Sequence, residues 1–145
     1  MRRARRRRAD RTLRAVASLA IREILVVDDS STELARLSAL LTARGFEVRT
    51  ARSGEEALQR LQERRPDLLL LDVVMPGPNG YALTRRVTRD PRYDGLPVIL
   101  CTSKGQASDR VWGLRQGARD YIVKPVDGDD LIARIRACER DRAES

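Results

Sequence analysis

Histidine is absent from all 145 residues. That absence alone excludes Ser-His-Asp and Cys-His catalysis, almost all zinc chemistry and any role as a phosphohistidine donor. The chemistry left to the chain runs on carboxylates, hydroxyls, lysine and a hard cation. Cysteine is scarce. Cys101 falls in an apolar strand and Cys138 on a helix, without the CxxC spacing of a metal or redox pair. Both read as reduced core thiols. No apolar run approaches the roughly 20 residues that span a bilayer, so no membrane insertion is expected. The short apolar stretch at residues 15–21 follows a run of arginines but leads into a strand carrying acids, with no convincing cleavage site. A cytoplasmic location is expected. No GxxxxGK[ST] loop occurs, so a nucleotide is not the expected ligand.

Lysine is nearly missing too, with Lys104 and Lys124 set against 27 arginines. The formal net charge is +8, but it belongs to one end. Residues 1–22 hold nine arginines and a single acid, Asp10, while the rest of the chain balances. Residues 1–21 therefore read as an arginine-rich extension, disordered or partly helical, with too little apolar content for a core. Such an arm can bind nucleic acid or anionic lipid through phosphate contacts. The competing reading is a start-site artefact. Arginine codons accumulate in GC-rich genes, whose upstream codons are easily misread as coding, and a later start would then use a non-standard codon, for example at Val16 or Leu19.

From Glu23 onward, strand and helix signals alternate. Ile24–Val27 is a β-branched run ending at Asp28-Asp29, and Ser30 with Glu33 three residues on reads as a capping box. The helix behind it carries Leu34, Leu37, Leu40 and Leu41 inward and stops at Gly45. Phe46–Ala51 alternates as an edge strand would. Ser53 with Glu56 repeats the capping pattern before Ala57, Leu58 and Leu61, and Pro66 closes that helix. Leu68–Leu71 is apolar throughout, as a strand buried on both faces must be, and ends at Asp72. Asn79 or a neighbour caps a third helix, through about Arg89, with Tyr81, Leu83 and Val87. Pro97–Thr102 is a fourth strand, and a helix from about Ala107 to Gln116 presents Val111, Trp112 and Leu114. Trp112 is expected to pack. Tyr121–Val123 is a fifth strand ending at Lys124-Pro125, and Asp127 caps a last helix with Leu131, Ile132, Ile135 and Cys138 inward. Five strand–helix repeats with short loops imply one α/β domain, over residues 22–140, with a parallel sheet covered on both faces. Residues 141–145 read as a tail.

In such a sheet the functional site lies at the carboxyl ends of the strands. Asp28, Asp29, Asp72, Thr102 and Lys124 all fall there. Each alone could be a cap, a turn former or a surface charge, but their coincidence at one edge points to a site. Three clustered carboxylates repel, and a divalent cation with oxygen-only ligands and waters, Mg²⁺ by chemistry, relieves that repulsion. With no histidine or activated serine, Asp72 is the best nucleophile, attacking a phosphoryl group to give an acyl phosphate. Lys124 and the cation would share the charge on the phosphoryl oxygens, and Thr102 would donate a hydrogen bond to one of them. An acyl-phosphate hydrolase of the haloacid dehalogenase type is disfavoured, because such enzymes carry a second Asp where this chain has Val74.

At Leu25-Val26-Val27-Asp28-Asp29-Ser30, Leu71-Asp72-Val73-Val74-Met75-Pro76, Thr102 and Lys124-Pro125 the chain resembles a response-regulator receiver domain of the CheY type. The resemblance implies a flavodoxin-like (CheY-like) three-layer sandwich of sheet order 2-1-3-4-5 with five helices. It implies Asp72 as phosphoacceptor and Mg²⁺ ligands in Asp28, Asp29, Asp72 and the backbone carbonyl of Val74. A cis Lys124–Pro125 bond and a switch pair of Thr102 and Tyr121 also follow from it. The implied partners are a histidine kinase or its phosphotransfer domain, and a downstream protein on the face of the fourth helix, fifth strand and fifth helix. Two further stretches, residues 74–80 and 111–121, resemble small regulators of type IV pilus twitching motility, the PilH kind. The expected function is that of a stand-alone phosphorylated switch rather than an enzyme with turnover. The alternative is a receiver-regulated nucleic-acid binder acting through the arginine-rich arm.

Overall fold

Successive residues of a strand point to opposite faces of its sheet, and here each face meets its own core. Residues 20–144 are described in this computed structural model. The arginine-rich extension falls outside them except for Ala20 and Ile21. In chain order the elements are β1 (Glu23–Val27), α1 (Ser31–Ala43), β2 (Glu47–Ala51), α2 (Gly54–Glu63), β3 (Leu68–Leu71) and α3 (Gly80–Arg89). They continue with β4 (Val98–Thr102), α4 (Ala107–Arg115), β5 (Asp120–Val123) and α5 (Gly128–Glu144). A short 3₁₀ turn, Pro91–Tyr93, lies between α3 and β4. All four strand pairings are parallel and the order is β2-β1-β3-β4-β5, as the resemblance implied.

Leu25, Val27, Leu69, Leu71 and Leu100 face one way, against Ala57 and Leu61 of α2 and Leu83 and Val87 of α3. Ile24, Val26, Leu68, Leu70, Ile99 and Ile122 face the other way, against Leu34, Leu37 and Leu41 of α1 and Leu131 and Ile135 of α5. Cys101 and Cys138 both belong to this second core, buried and not joined in a disulfide. Burial pushes the Cys101 thiol up to about 12, which keeps it protonated and unreactive. Among the described residues, Ile21 is already buried and donates its N–H to Glu139, and α5 runs on to Glu144.

Local signals place these helix starts correctly, with two departures in side-chain partners. Ser30 Oγ accepts the Glu33 N–H at 3.3 Å, Ser53 Oγ the Glu56 N–H at 3.1 Å and Asn79 Oδ1 the Ala82 N–H at 3.0 Å. The return arm of the first capping box does not form, because Asp28 Oδ1 takes the Ser30 N–H at 2.9 Å. Glu56 likewise reaches past its cap to the N–H of Arg52. Gly45 and Gly117 end α1 and α4 with φ of +92° and +109°, a region where a side chain would be strained.

Trp112 departs from expectation. The only buried residue of α4 is Gly113, whose missing side chain lets the helix settle on Leu100 and Tyr121. Val111, Trp112 and Leu114 flank that contact line and turn outward, leaving Trp112 48% exposed.

A closer approach fixes the loop after β3. A Cβ added at Gly80 would stand 2.2 Å from the Asp72 carbonyl oxygen and 2.8 Å from both Leu71 Cδ1 and Val73 Cα. Alanine normally stabilises a helix by about 1 kcal/mol relative to glycine. Gly80→Ala should instead destabilise by about 1–3 kcal/mol, because backbone has to shift. The measurement is a urea unfolding midpoint at unchanged slope, and a midpoint at or above that of the wild type would contradict the close contact.

Candidate functional site

Three strands of the sheet, the neighbours β1 and β3 and, one strand further on, β5, deliver their next residue to the same edge. Asp28 follows β1, with its N–H bonded to the Ala51 carbonyl, and Asp72 follows β3, with its N–H bonded to the Val27 carbonyl. Lys124 follows β5, its N–H bonded to the Thr102 carbonyl, and the Lys124–Pro125 peptide is cis. Parallel pairing in register therefore carries these side chains to one edge. Asp28 and Asp72 are buried there, at 2% and 8% exposure, while Asp29 beside them is exposed.

The Lys124 ammonium lies between the two buried acids, 2.6 Å from Asp28 Oδ2 and 3.2 Å from Asp72 Oδ2. Burial pulls its pKa down, but the hydrogen bond to Asp28 and the charge of Asp72 outweigh this and hold it above the usual lysine value. The ammonium is charged at neutral pH. One carboxylate oxygen from each of Asp28, Asp29 and Asp72 falls within 4.8 Å of the others. Lys124 offsets only one of these three charges. An all-oxygen donor set with one solvent-facing member fits a hard divalent cation that retains waters. Val74 lies on the loop beyond Asp72, where its N–H donates to Asp72 Oδ1 at 3.3 Å and its side chain is exposed.

Thr102 ends β4 fully buried, and its Oγ1 accepts the Lys104 N–H at 3.3 Å. Accepting there leaves the hydroxyl its one proton to give. Tyr121 is also buried, and its hydroxyl donates to the Lys104 carbonyl at 2.7 Å. Burial first, then the hydrogen bond with Tyr81, raises the pKa of this phenol, so it stays neutral and a donor. Lys104 thus ties Thr102 and Tyr121 together through its own backbone.

Two residues gain a place here that the sequence reading did not assign. Tyr81 of α3 puts its hydroxyl 3.1 Å from the Asp109 carbonyl and 3.4 Å from the Tyr121 hydroxyl, linking α3, α4 and β5. Its position in the helix signalled a core residue only, and nothing local distinguishes a phenol that packs from one that bridges. Glu33, expected as a cap, lies 3.9 Å from the Lys124 ammonium. A groove of about 280 Å³, lined by Val74, Met75, Asn79, Tyr81 and Lys104 among others, opens beside the loop that follows Asp72.

Comparison with known proteins agrees with this arrangement. The family model for the response regulator receiver domain matches residues 24–136. The chain is 46% identical over 114 residues to protein PilH of Pseudomonas aeruginosa, covering 79% of this chain and 94% of that one. It is 47% identical over 118 residues to the phosphate regulon transcriptional regulatory protein PhoB of Rhizobium meliloti, covering 81% of this chain but only 52% of PhoB. Among solved structures, a CheY-like receiver domain protein from Methanospirillum hungatei superposes with a TM-score of 0.78 at 27% identity. That match covers 86% of this chain and 98% of the other. From sheet order to strand-end acids, the chain belongs to the response regulator receiver domain family.

Proposed function

We propose that this receiver domain is a phosphorylated switch, charged on Asp72 by a histidine kinase or its phosphotransfer domain and read out by a protein partner. The observation that carries this reading is the placement of the Lys124 ammonium within 3.2 Å of Asp72 and 2.6 Å of Asp28, at the mouth of a three-carboxylate cluster. In the transfer, a lone pair of an Asp72 carboxylate oxygen forms the new O–P bond. The N–P bond of the donor's phosphohistidine breaks, and its electron pair returns to the imidazole, which takes up a proton. Bound Mg²⁺ on Asp28, Asp29, Asp72 and the Val74 carbonyl would neutralise developing charge on the phosphoryl oxygens. Lys124 leaves one acid to meet the same oxygens, and Thr102 donates its free proton to another. The Val74 N–H, already aimed at Asp72 Oδ1, holds the carboxylate in line.

Thr102 and Tyr121 form the switch in this account, because Lys104 joins them through its N–H and its carbonyl. A shift of Thr102 toward a phosphoryl group draws on the hydrogen bond that fixes the Lys104 backbone, and with it the tyrosine's acceptor. The readout surface is the outer side of α4, β5 and α5, where Val111, Trp112 and Val123 are exposed together with the charged residues around them. An exposed tryptophan flanked by apolar residues is a favourable anchor for a protein partner. The match to almost the whole length of PilH supports a role in type IV pilus twitching motility. The longer relatives carry sequence beyond the shared domain, and their output is not transferred to this chain.

Incubation with Mg²⁺ and acetyl phosphate or a phosphorylated kinase should add one phosphoryl group, seen by intact-mass spectrometry. Asp72→Asn should remove the label entirely, and chelation of Mg²⁺ should slow labelling of the wild type by at least about 10²-fold, a factor of the size seen when one electrostatic stabiliser is removed. Equal labelling of Asp72→Asn would overturn the proposal.

A further inference from the structure

Glu33 occupies the third position of α1, where the sequence pattern makes it the second half of a capping box. Asp28 Oδ1 fills that role, accepting the Ser30 N–H at 2.9 Å. The Glu33 carboxylate is thereby released from the helix end and turns toward the site. Its Oε2 is buried without a hydrogen-bond partner and lies 3.9 Å from Lys124 Nζ. Arg36 comes no nearer to the same oxygen, also 3.9 Å away. A buried carboxylate oxygen lacking a hydrogen bond carries the full desolvation penalty of that atom.

The ammonium opposite has the matching deficit. Lysine offers three N–H donors, and Asp28 and Asp72 engage two of them. The ammonium and the unpartnered Glu33 oxygen stand 3.9 Å apart, a gap roughly 1 Å longer than a hydrogen bond. Both oxygens of Asp28 are already engaged, Oδ1 by the Ser30 N–H and Oδ2 by Lys124. A cation that ligates Asp28 draws on the carboxylate charge that holds Lys124 at 2.6 Å, and the weakened ammonium contact makes another acceptor close at hand valuable.

We propose that Glu33 is the positioning residue of Lys124, accepting its third proton and retaining the ammonium in the site when a divalent cation takes Asp28. The inference rests on the Mg²⁺-dependent reading above. It assigns Glu33 no contact with the phosphoryl group and no turn in the transfer itself. Its action is through Lys124, which would otherwise be expelled toward solvent or would resist the incoming cation.

The test is a cycle on the full chain, with Mg²⁺ affinity measured by titration calorimetry in the wild type, Glu33→Gln, Lys124→Met and the double variant. Glu33→Gln should weaken Mg²⁺ binding about fivefold when Lys124 is present and less than about twofold in the Lys124→Met background, the gap being of a size typical of coupled charges. Glutamine keeps the helix start intact, because Ser30 Oγ bonds the backbone N–H of Glu33 and not its side chain. The unfolding midpoint without Mg²⁺ should accordingly stay put. Equal weakening in both backgrounds would mean that the carboxylate acts on the cation directly, and no weakening would mean that it acts on neither. Either result overturns the inference. Absence of Mg²⁺ binding in the wild type, or binding undiminished in Asp28→Asn, would instead overturn the metal-dependent reading and the inference with it.

Discussion

The site depends on one buried electrostatic constraint, the Lys124 ammonium set between Asp28 and Asp72. Removing one partner of such an arrangement leaves an uncompensated charge in a poorly solvated position, typically at a cost of about 3–5 kcal/mol. The ammonium balances only part of the negative charge that gathers there, since Asp29 completes a cluster of three acids. That incomplete compensation is the physical basis of the proposed cation site. The rest of the fold serves to keep it in place. β1 and β3 are bonded neighbours in register, so their terminal acids stand side by side. β5 reaches the same edge through β4, and the Lys124 N–H is anchored on the Thr102 carbonyl.

Much of this was legible in the chain because strands buried on both faces admit so few polar residues. In Ile24–Val27, Leu68–Leu71 and Val98–Cys101 every side chain is apolar, so the first polar residue after each run marks a strand end. Parallel strands put those ends together. The sheet order followed from resemblance, since periodicity alone allows other orders. Side-chain partners were harder to read. Glu33 fits the capping pattern by spacing, yet the acceptor that reaches the Ser30 N–H is Asp28. That choice depends on how the chain turns between β1 and α1. Trp112 is apolar and on a helix, but the buried stripe of α4 is a single glycine. Small size, rather than hydrophobicity, brings that helix to the sheet. Burial of Glu23 at the opposite edge was equally hidden. Its carboxylate pairs with Arg49 and Arg64, residues that converge only after β2 and α2 have packed.

Tyr81 and Lys104 extend the site beyond its strand-end core. Through the Lys104 backbone, Thr102 next to the acids is joined to Tyr121 beneath α4, and the Tyr81 hydroxyl joins Tyr121 to Asp109 of α4 itself. These contacts form a continuous polar path from the carboxylates to the helix that carries Trp112. α4 has only Gly113 buried against the sheet, so little apolar packing resists its adjustment. A shallowly seated helix at the end of a hydrogen-bonded path is a physically reasonable place for a switch to be read.

The central claim is that the acid cluster is charge-unbalanced and is completed by a divalent cation. Thermal unfolding with and without millimolar Mg²⁺ tests it most directly, because a ligand that binds the folded state alone raises the midpoint, by an amount that grows with the logarithm of its concentration over its Kd. The account predicts a rise of about 3 °C or more for the wild type, and no rise when Asp28 and Asp29 are both replaced by asparagine. A wild-type midpoint indifferent to Mg²⁺, or an equal rise in the doubly substituted protein, would contradict it.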